Sequence, residues 1–210
     1  MDLSQMRTIV RRDLRDEDSQ NYRWSDDELN RHITHALNEL SEAVPYQEKA
    51  LKATTNSSRE IDISSLSDHL TIQAVEYPID KFPPKYQRFS IWGNLLNIQS
   101  DETPDGSNAR IYYGTLHILD SQSSTIPSHL EDLLASGVEG YAAVEWAIYA
   151  TNRVNTGGTN TPDDFLKWGT EKLDYFRQEL KRLGQRNRVR LNQLYKPLYP
   201  IVSKTTDFGP

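Results

Sequence analysis

Cysteine is absent from these 210 residues, which removes disulfides, thiolate metal sites and cysteine nucleophiles and fits a reducing compartment. Long apolar runs are absent too: no stretch approaches the roughly 18 apolar residues that a membrane span needs. The opening, MDLSQMRTIVRRDLRDED, is charged throughout and has no apolar block of the secretory kind. The sequence therefore reads as soluble and unprocessed. Apolar residues are scarce at 36%, whereas tyrosine is plentiful at 11 residues. That balance suits either a monomer with a polar surface or a protein that completes its burial against partners.

Charge of one sign is scarce in a single stretch. Arg177 to Lys196 holds seven basic residues and one acid, so the remainder of a chain of net charge -6 carries -12. Opposite ends of the protein should meet different partners.

Leu3, Met6, Ile9, Val10 and Leu14 recur at helical spacing, and Asp2 with Gln5 supplies a start. This first helix is expected to end near Asp16. Ser25 with Glu28 three residues on marks a second start, and Trp24 is placed to staple Leu29 across the cap. The face Leu29, Ile33, Ala36, Leu37, Leu40 and Val44 follows, and Pro45 stops it. From Thr54 to about Ser124 the period shortens and turn residues punctuate it. Strands are expected near 60–63, 70–77, 86–92, 94–99 and 110–119, with Gly93-Asn94 as a hairpin turn. After Ile126-Pro127 a long helix runs to about Val154, kept slim by Gly137, Gly140, Ala142, Ala143, Ala147 and Ala150. Thr161, Pro162, Asp163 and Asp164 open a second long helix with the apolar stripe Phe165, Trp168, Leu173, Phe176, Leu180 and Leu183. Gly184 is read as its end.

The predicted fold class is α+β: an α-helical bundle of two short and two long helices, an inserted small antiparallel β-sheet or barrel, and an extended C-terminal tail. The expected organisation is N-terminal helices over 1–53, a β subdomain over 54–124, long helices over 125–184 and a docking tail over 185–210.

Few residues suggest chemistry. His32 and His35, with Glu28 and Glu39, have helical spacing open to a metal, but no HExxH pattern or distant third ligand accompanies them, so they read as surface or rim histidines. Asp16, Asp18, Gln20 and Asp27 have offsets faintly like a calcium loop. However, Asn21 stands where glycine is usual and Asp27 where a bidentate glutamate is, so a solvated linker is the plainer reading. Tyr86, Phe89, Trp92, Tyr112 and Tyr113, near Lys85, Arg88 and Arg110, suit stacking on single-stranded nucleic acid or ordinary cross-strand packing. No nucleophile elbow or phosphate loop frames the serines and histidines. No catalytic, cofactor-binding or metal residue is assigned, no cofactor is expected, and the chain does not read as an enzyme. The tail is more informative: Arg186, Arg188 and Arg190 precede Leu191, Leu194, Tyr195, Leu198, Tyr199 and Ile201. Prolines and apolar residues there cannot build a core of their own, so the segment is either a loose terminus or docked on another surface. Docking is the expectation, steered by charge and held by apolar anchors.

Val10-Arg11-Arg12-Asp13-Leu14, Tyr22 to Leu29 and Ala36-Leu37 resemble the opening of tailed-bacteriophage head-to-tail adaptor proteins, and Ile126 to Leu133 with the slim helix after it is similar to that family's third helix. The β region departs from minimal adaptors. The resemblance implies a structural virion protein of the neck, assembled in the bacterial host cytoplasm. It would be a homo-oligomeric ring of 12 copies between the portal protein and tail or nozzle proteins, with DNA passing through its lumen, no sequence-specific nucleic-acid binding and no membrane. Portal docking then falls to the nine tail residues from Arg186 to Ile201 just named, and the subunit interface to Tyr141, Ala143, Ala147 and Ala150. The alternative is a nucleic-acid-binding module that uses the basic C-terminal segment, with steep salt dependence.

Overall fold

The computed structural model describes residues 1–100, 103–150 and 161–195. Its element order is α1 (Leu3–Asp13), α2 (Asp26–Ala43), β1 (Tyr46–Ala53), β2 (Glu60–Asp62), β3 (His69–Glu76), β4 (Tyr86–Trp92), β5 (Leu95–Gln99), β6 (Asn108–Thr115), a 3-10 turn (Ser128–Leu130), α3 (Glu131–Ala150) and α4 (Pro162–Gln193). Two compact units divide these elements. One is Met1–Glu48, Asp68–Thr71 and Tyr113–Arg186; the other is Lys49–Ser67, Ile72–Tyr112 and the described part of Asn187–Pro210.

In the helical unit the starts of α1, α2 and α4 are capped by the residues the sequence offers. Asp2 and Gln5 exchange bonds of 2.8 and 2.9 Å at the start of α1. Ser25 and Glu28 do the same for α2 at 2.7 and 3.2 Å, and Thr161 and Asp164 for α4 at 2.8 and 3.4 Å. These bonds satisfy donors that helix starts otherwise leave unpaired. One apolar core joins Met6 and Val10 of α1, Leu29, Ile33 and Leu40 of α2, Leu134 and Val138 of α3, and Phe176 and Leu180 of α4. Trp24 is buried in it, and its indole N–H donates to the Ala142 carbonyl at 3.1 Å. The buried indole therefore keeps a partner where an orphaned donor would cost about 1–3 kcal/mol.

Glycine lets α3 and α4 approach. A Cβ added at Gly140 would lie 2.7 Å from Leu173 Cγ and 3.1 Å from the Gly169 carbonyl, and one at Gly169 would lie 3.0 Å from Ala143 Cβ. The slim face read in the sequence is thus filled by this chain's own α4.

The fold class expected from sequence is corrected here. In place of a small sheet or barrel inserted into a helical bundle there is one six-stranded antiparallel sheet, ordered β1-β6-β3-β4-β5-β2. The extra strand, β1, lies in a stretch that the sequence reading left with the N-terminal helices. Its residues, YQEKALKA, are largely exposed on both faces, so they carry no period-two signal. Pairing of β1 with β6, more than 50 residues on by sequence number, has no local signature either. The remaining strands lie close to their expected places, and β4 and β5 form the anticipated hairpin with Trp92 opposite Leu95 and Gly93 at φ 58° in the turn. That positive φ is a conformation glycine adopts at little cost.

A second correction concerns α4, which does not end at Gly184 but continues through Gln193. Gly184 is not among the glycines of positive φ, so it makes no left-handed cap. The arginines, leucine and glutamine after it favour helix.

Candidate assembly surfaces

Three surfaces of the described residues stand out. The first is a groove of about 620 Å³ between α2 and α3 in the helical unit. Its polar wall is an ion cluster: Glu145 of α3 takes a bond from Arg31 and meets His32 Nε2 at 2.5 Å. Burial of the His32 ring pushes its pKa down despite the carboxylate, because the charged form loses water. Glu145 is held low by Arg31 and His32, against its own burial. The apolar wall comes from Val144, Ile148 and Tyr149. Its floor is a stack of His35 on Tyr141, with ring centroids 4.2 Å apart. Tyr141 donates to Glu39 and receives a 3.0 Å bond from Arg177.

The histidines that sequence spacing offered to a metal are therefore engaged by a carboxylate and by a tyrosine ring. Among the described residues no group of three or more His, Asp or Glu side chains is placed to hold a metal ion. Asp16 of the calcium-like run is buried and bound to Arg11 at 2.7 Å and to the Arg23 amide at 2.7 Å.

The second surface is the C-terminal end of α4. Only Gly169, Leu173, Phe176 and Leu180 of this helix are fully buried; in the turns that carry Arg186, Arg188 and Arg190, Asn187 and Leu191 are half-buried. All three arginines are exposed, as is Val189. Leu191 is half-buried on the helix, and Leu194 and Tyr195 are half-buried just after it. Leu198, Tyr199 and Ile201 lie outside the described residues.

The third surface is the β4–β5 hairpin. Pairing of β2, β4 and β5 places Ile61, Leu96 and Ile98 on one face, where all are buried. Trp92, Ser90, Asn97, Leu95, Glu60 and Asp62 share the other. On that otherwise polar face Trp92 is 79% exposed and Leu95 44%. Exposed tryptophan is the informative departure, since a large ring in water forfeits much apolar burial.

No protein-family model matches the chain, and no curated protein matches it.

Of the residues expected at the subunit interface, Ala143 and Ala147 are buried inside the helical unit, and Ala143 lies against Gly169 of α4. Tyr141 and Ala150 are half-buried, and Tyr141 opens onto the groove. The aromatic and basic strand residues also part company. Arg110 and Tyr112 are spent on Glu76, at 2.9 and 2.8 Å, whereas Trp92 is open. Sequence reasoning missed Arg31, Glu145 and Ile148. The first two announce themselves only when α2 and α3 pack, and Ile148 reads as one more apolar position of a helix face.

Among the described residues no helix is long and apolar enough to cross a membrane.

Proposed function

We propose that this protein is a structural component of a virion, a head-to-tail adaptor whose copies form a ring below the portal and connect it to tail or nozzle proteins. The ring would number 12 copies, with DNA passing through its lumen. The reading draws on the adaptor-like sequence around Val10 to Leu29 and Ile126 to Leu133. The observation that carries it is the form of α4. This 32-residue helix is about 48 Å long at 1.5 Å per residue. It is anchored in the core through Leu173, Phe176 and Leu180, and it presents an exposed basic end that leads into the apolar, proline-bearing Lys196–Pro210 segment. A rigid rod with a charged, apolar-flanked tip suits capture of a partner, with charge speeding encounter and apolar anchors setting lifetime. The virion neck is the location that follows.

Arg186→Glu, Arg188→Glu and Arg190→Glu combined should abolish joining to the portal of the same genome, read by co-sedimentation at low salt. Joining at wild-type level would remove the α4 tip from the docking role.

A further inference from the structure

At one edge of the six-stranded sheet stands β1, whose eight residues are paired with the eight of β6. The Thr54 N–H just after β1 donates to the Ser107 carbonyl just before β6, and Tyr113 reaches back to Glu48 at 2.8 Å. This antiparallel register sets Leu51 opposite Arg110 and turns the backbone of Ala50 and Lys52 toward β6. The backbone donors and acceptors of Lys49, Leu51 and Ala53 therefore point out of the sheet, since the direction alternates along a strand. Leu51 is 56% exposed among them. An edge of this length is a template for one more strand.

The chain returns to this sheet as it leaves α4. Tyr195, the last described residue, is half-buried, and the pKa of its phenol is raised by burial first and by the Tyr86 phenol second, which places it near the start of β4. From Tyr86 a line of neighbours crosses the sheet to β1. Tyr86 lies opposite Glu76 of β3, Glu76 takes a 2.9 Å bond from Arg110 of β6, and Arg110 faces Leu51. Three strand spacings of about 4.8 Å make this distance about 14 Å. The six steps from Tyr195 to Ile201 span up to about 20 Å. Between Pro200 and Pro210 there is no proline, and Ile201, Val202, Thr205, Thr206 and Phe208 are residues that favour strands.

We propose that the occupant of the β1 edge is the chain's own C-terminal segment, residues 201–208, added as a seventh strand. Run antiparallel to β1, it sets Ile201 opposite Leu51, Lys204 opposite Glu48 and Thr206 opposite Tyr46. These are an apolar pair, a pair of opposite charge and a β-branched residue against an aromatic ring, each of a kind that stabilises neighbouring strands. A parallel run from Leu51 would leave β1 after Ala53, two residues on. The β1 of a second copy is the poorer occupant, because it brings two more lysines to an edge that already bears Lys49 and Lys52.

The short connection sets the strength. A lone strand of this length binds weakly, but a linker of a few residues holds it at a roughly millimolar effective concentration. The strand is thus kept in place without a large interface, and a portal that offers more contact can take it. This deepens the adaptor reading and rests on it for the role of the tail: Ile201, an expected portal anchor, is held on the subunit's own sheet until the portal displaces it.

The chain has no cysteine, so introduced thiols are unique. Full-length protein carrying Leu51→Cys and Ile201→Cys is compared at low concentration with protein carrying Glu60→Cys and Ile201→Cys. Glu60 lies on β2, two strand spacings across and four residues along from Tyr86, about 16 Å away, so a loose tail reaches it as readily as Leu51. A short bismaleimide should link 51 to 201 within one chain at least five-fold more than 60 to 201. Ser203→Pro removes an N–H aimed at Lys49. Added to the first pair it should cut the internal link at least five-fold, and alone it should speed amide exchange of Lys49 and Leu51, read by NMR, at least ten-fold. Equal links to 51 and 60, covalent dimers in place of the internal link, or Ser203→Pro changing neither reading would overturn the proposal. The portal is absent from this experiment, so a negative result leaves portal joining untouched, and failed portal joining leaves the added strand to be judged on crosslinks and exchange alone.

Discussion

At the scale of single residues, the buried groups set a pH response. His117 is enclosed beside the end of α2, with Nε2 2.9 Å from the Val44 carbonyl and Nδ1 3.1 Å from Thr125 Oγ1. Burial lowers its pKa, and the carbonyl contacts only partly oppose this. The folded state thus binds a proton less readily than the unfolded chain, whose imidazole titrates near 6.5. Stability is retained above that value and falls as pH drops from about 6.5 toward the lower folded value. His32, also pushed down by burial, adds to the same slope. Urea midpoints between pH 7.5 and 5 should decline for the wild type and decline less for His117→Gln; parallel curves would contradict the assignment. Gly140 is the other telling residue. Its missing Cβ lets α3 meet the Gly169 backbone, so Gly140→Ala should cost about 1–3 kcal/mol through overpacking. In urea unfolding an undiminished free energy would mean that the crossing has slack.

At the scale of elements, legibility followed how local the cause was. The starts of α1, α2 and α4 were readable because a cap is settled by residues three apart: Asp2 with Gln5, Ser25 with Glu28, Thr161 with Asp164. The β4–β5 hairpin was readable because Gly93 names its turn. β1 was not, since its partner β6 lies far along the chain and its own side chains are exposed on both faces. The end of α4 was misread because a glycine suggests a left-handed cap only when it adopts positive φ, and Gly184 does not. Of the assembly surfaces, the basic tip was legible as charge, whereas the groove required α2 and α3 to be packed side by side. Ala143 of α3 meets Gly169 of α4, a crossing that only the packed helices reveal. With the side chains of Arg186, Arg188 and Arg190 exposed, their combined reversal to glutamate should leave the melting temperature within about 2 °C of wild type. A larger drop in calorimetry would show that the tip supports the fold and does more than present charge.

At the scale of the whole molecule, the distribution of charge and burial points toward assembly. The helical unit has a single core that draws on all four helices. Among the described residues, the exposed features include Arg186 and Arg188 near the end of α4, Trp92 on the hairpin and Ile148 beside the α2–α3 groove. The most direct measurement is to mix the purified protein with the portal of the same genome and image the product by electron microscopy. The account predicts a second ring stacked on the portal, with the C-terminal end of α4 against it. Portal rings that remain bare across a range of salt and protein concentration would contradict it.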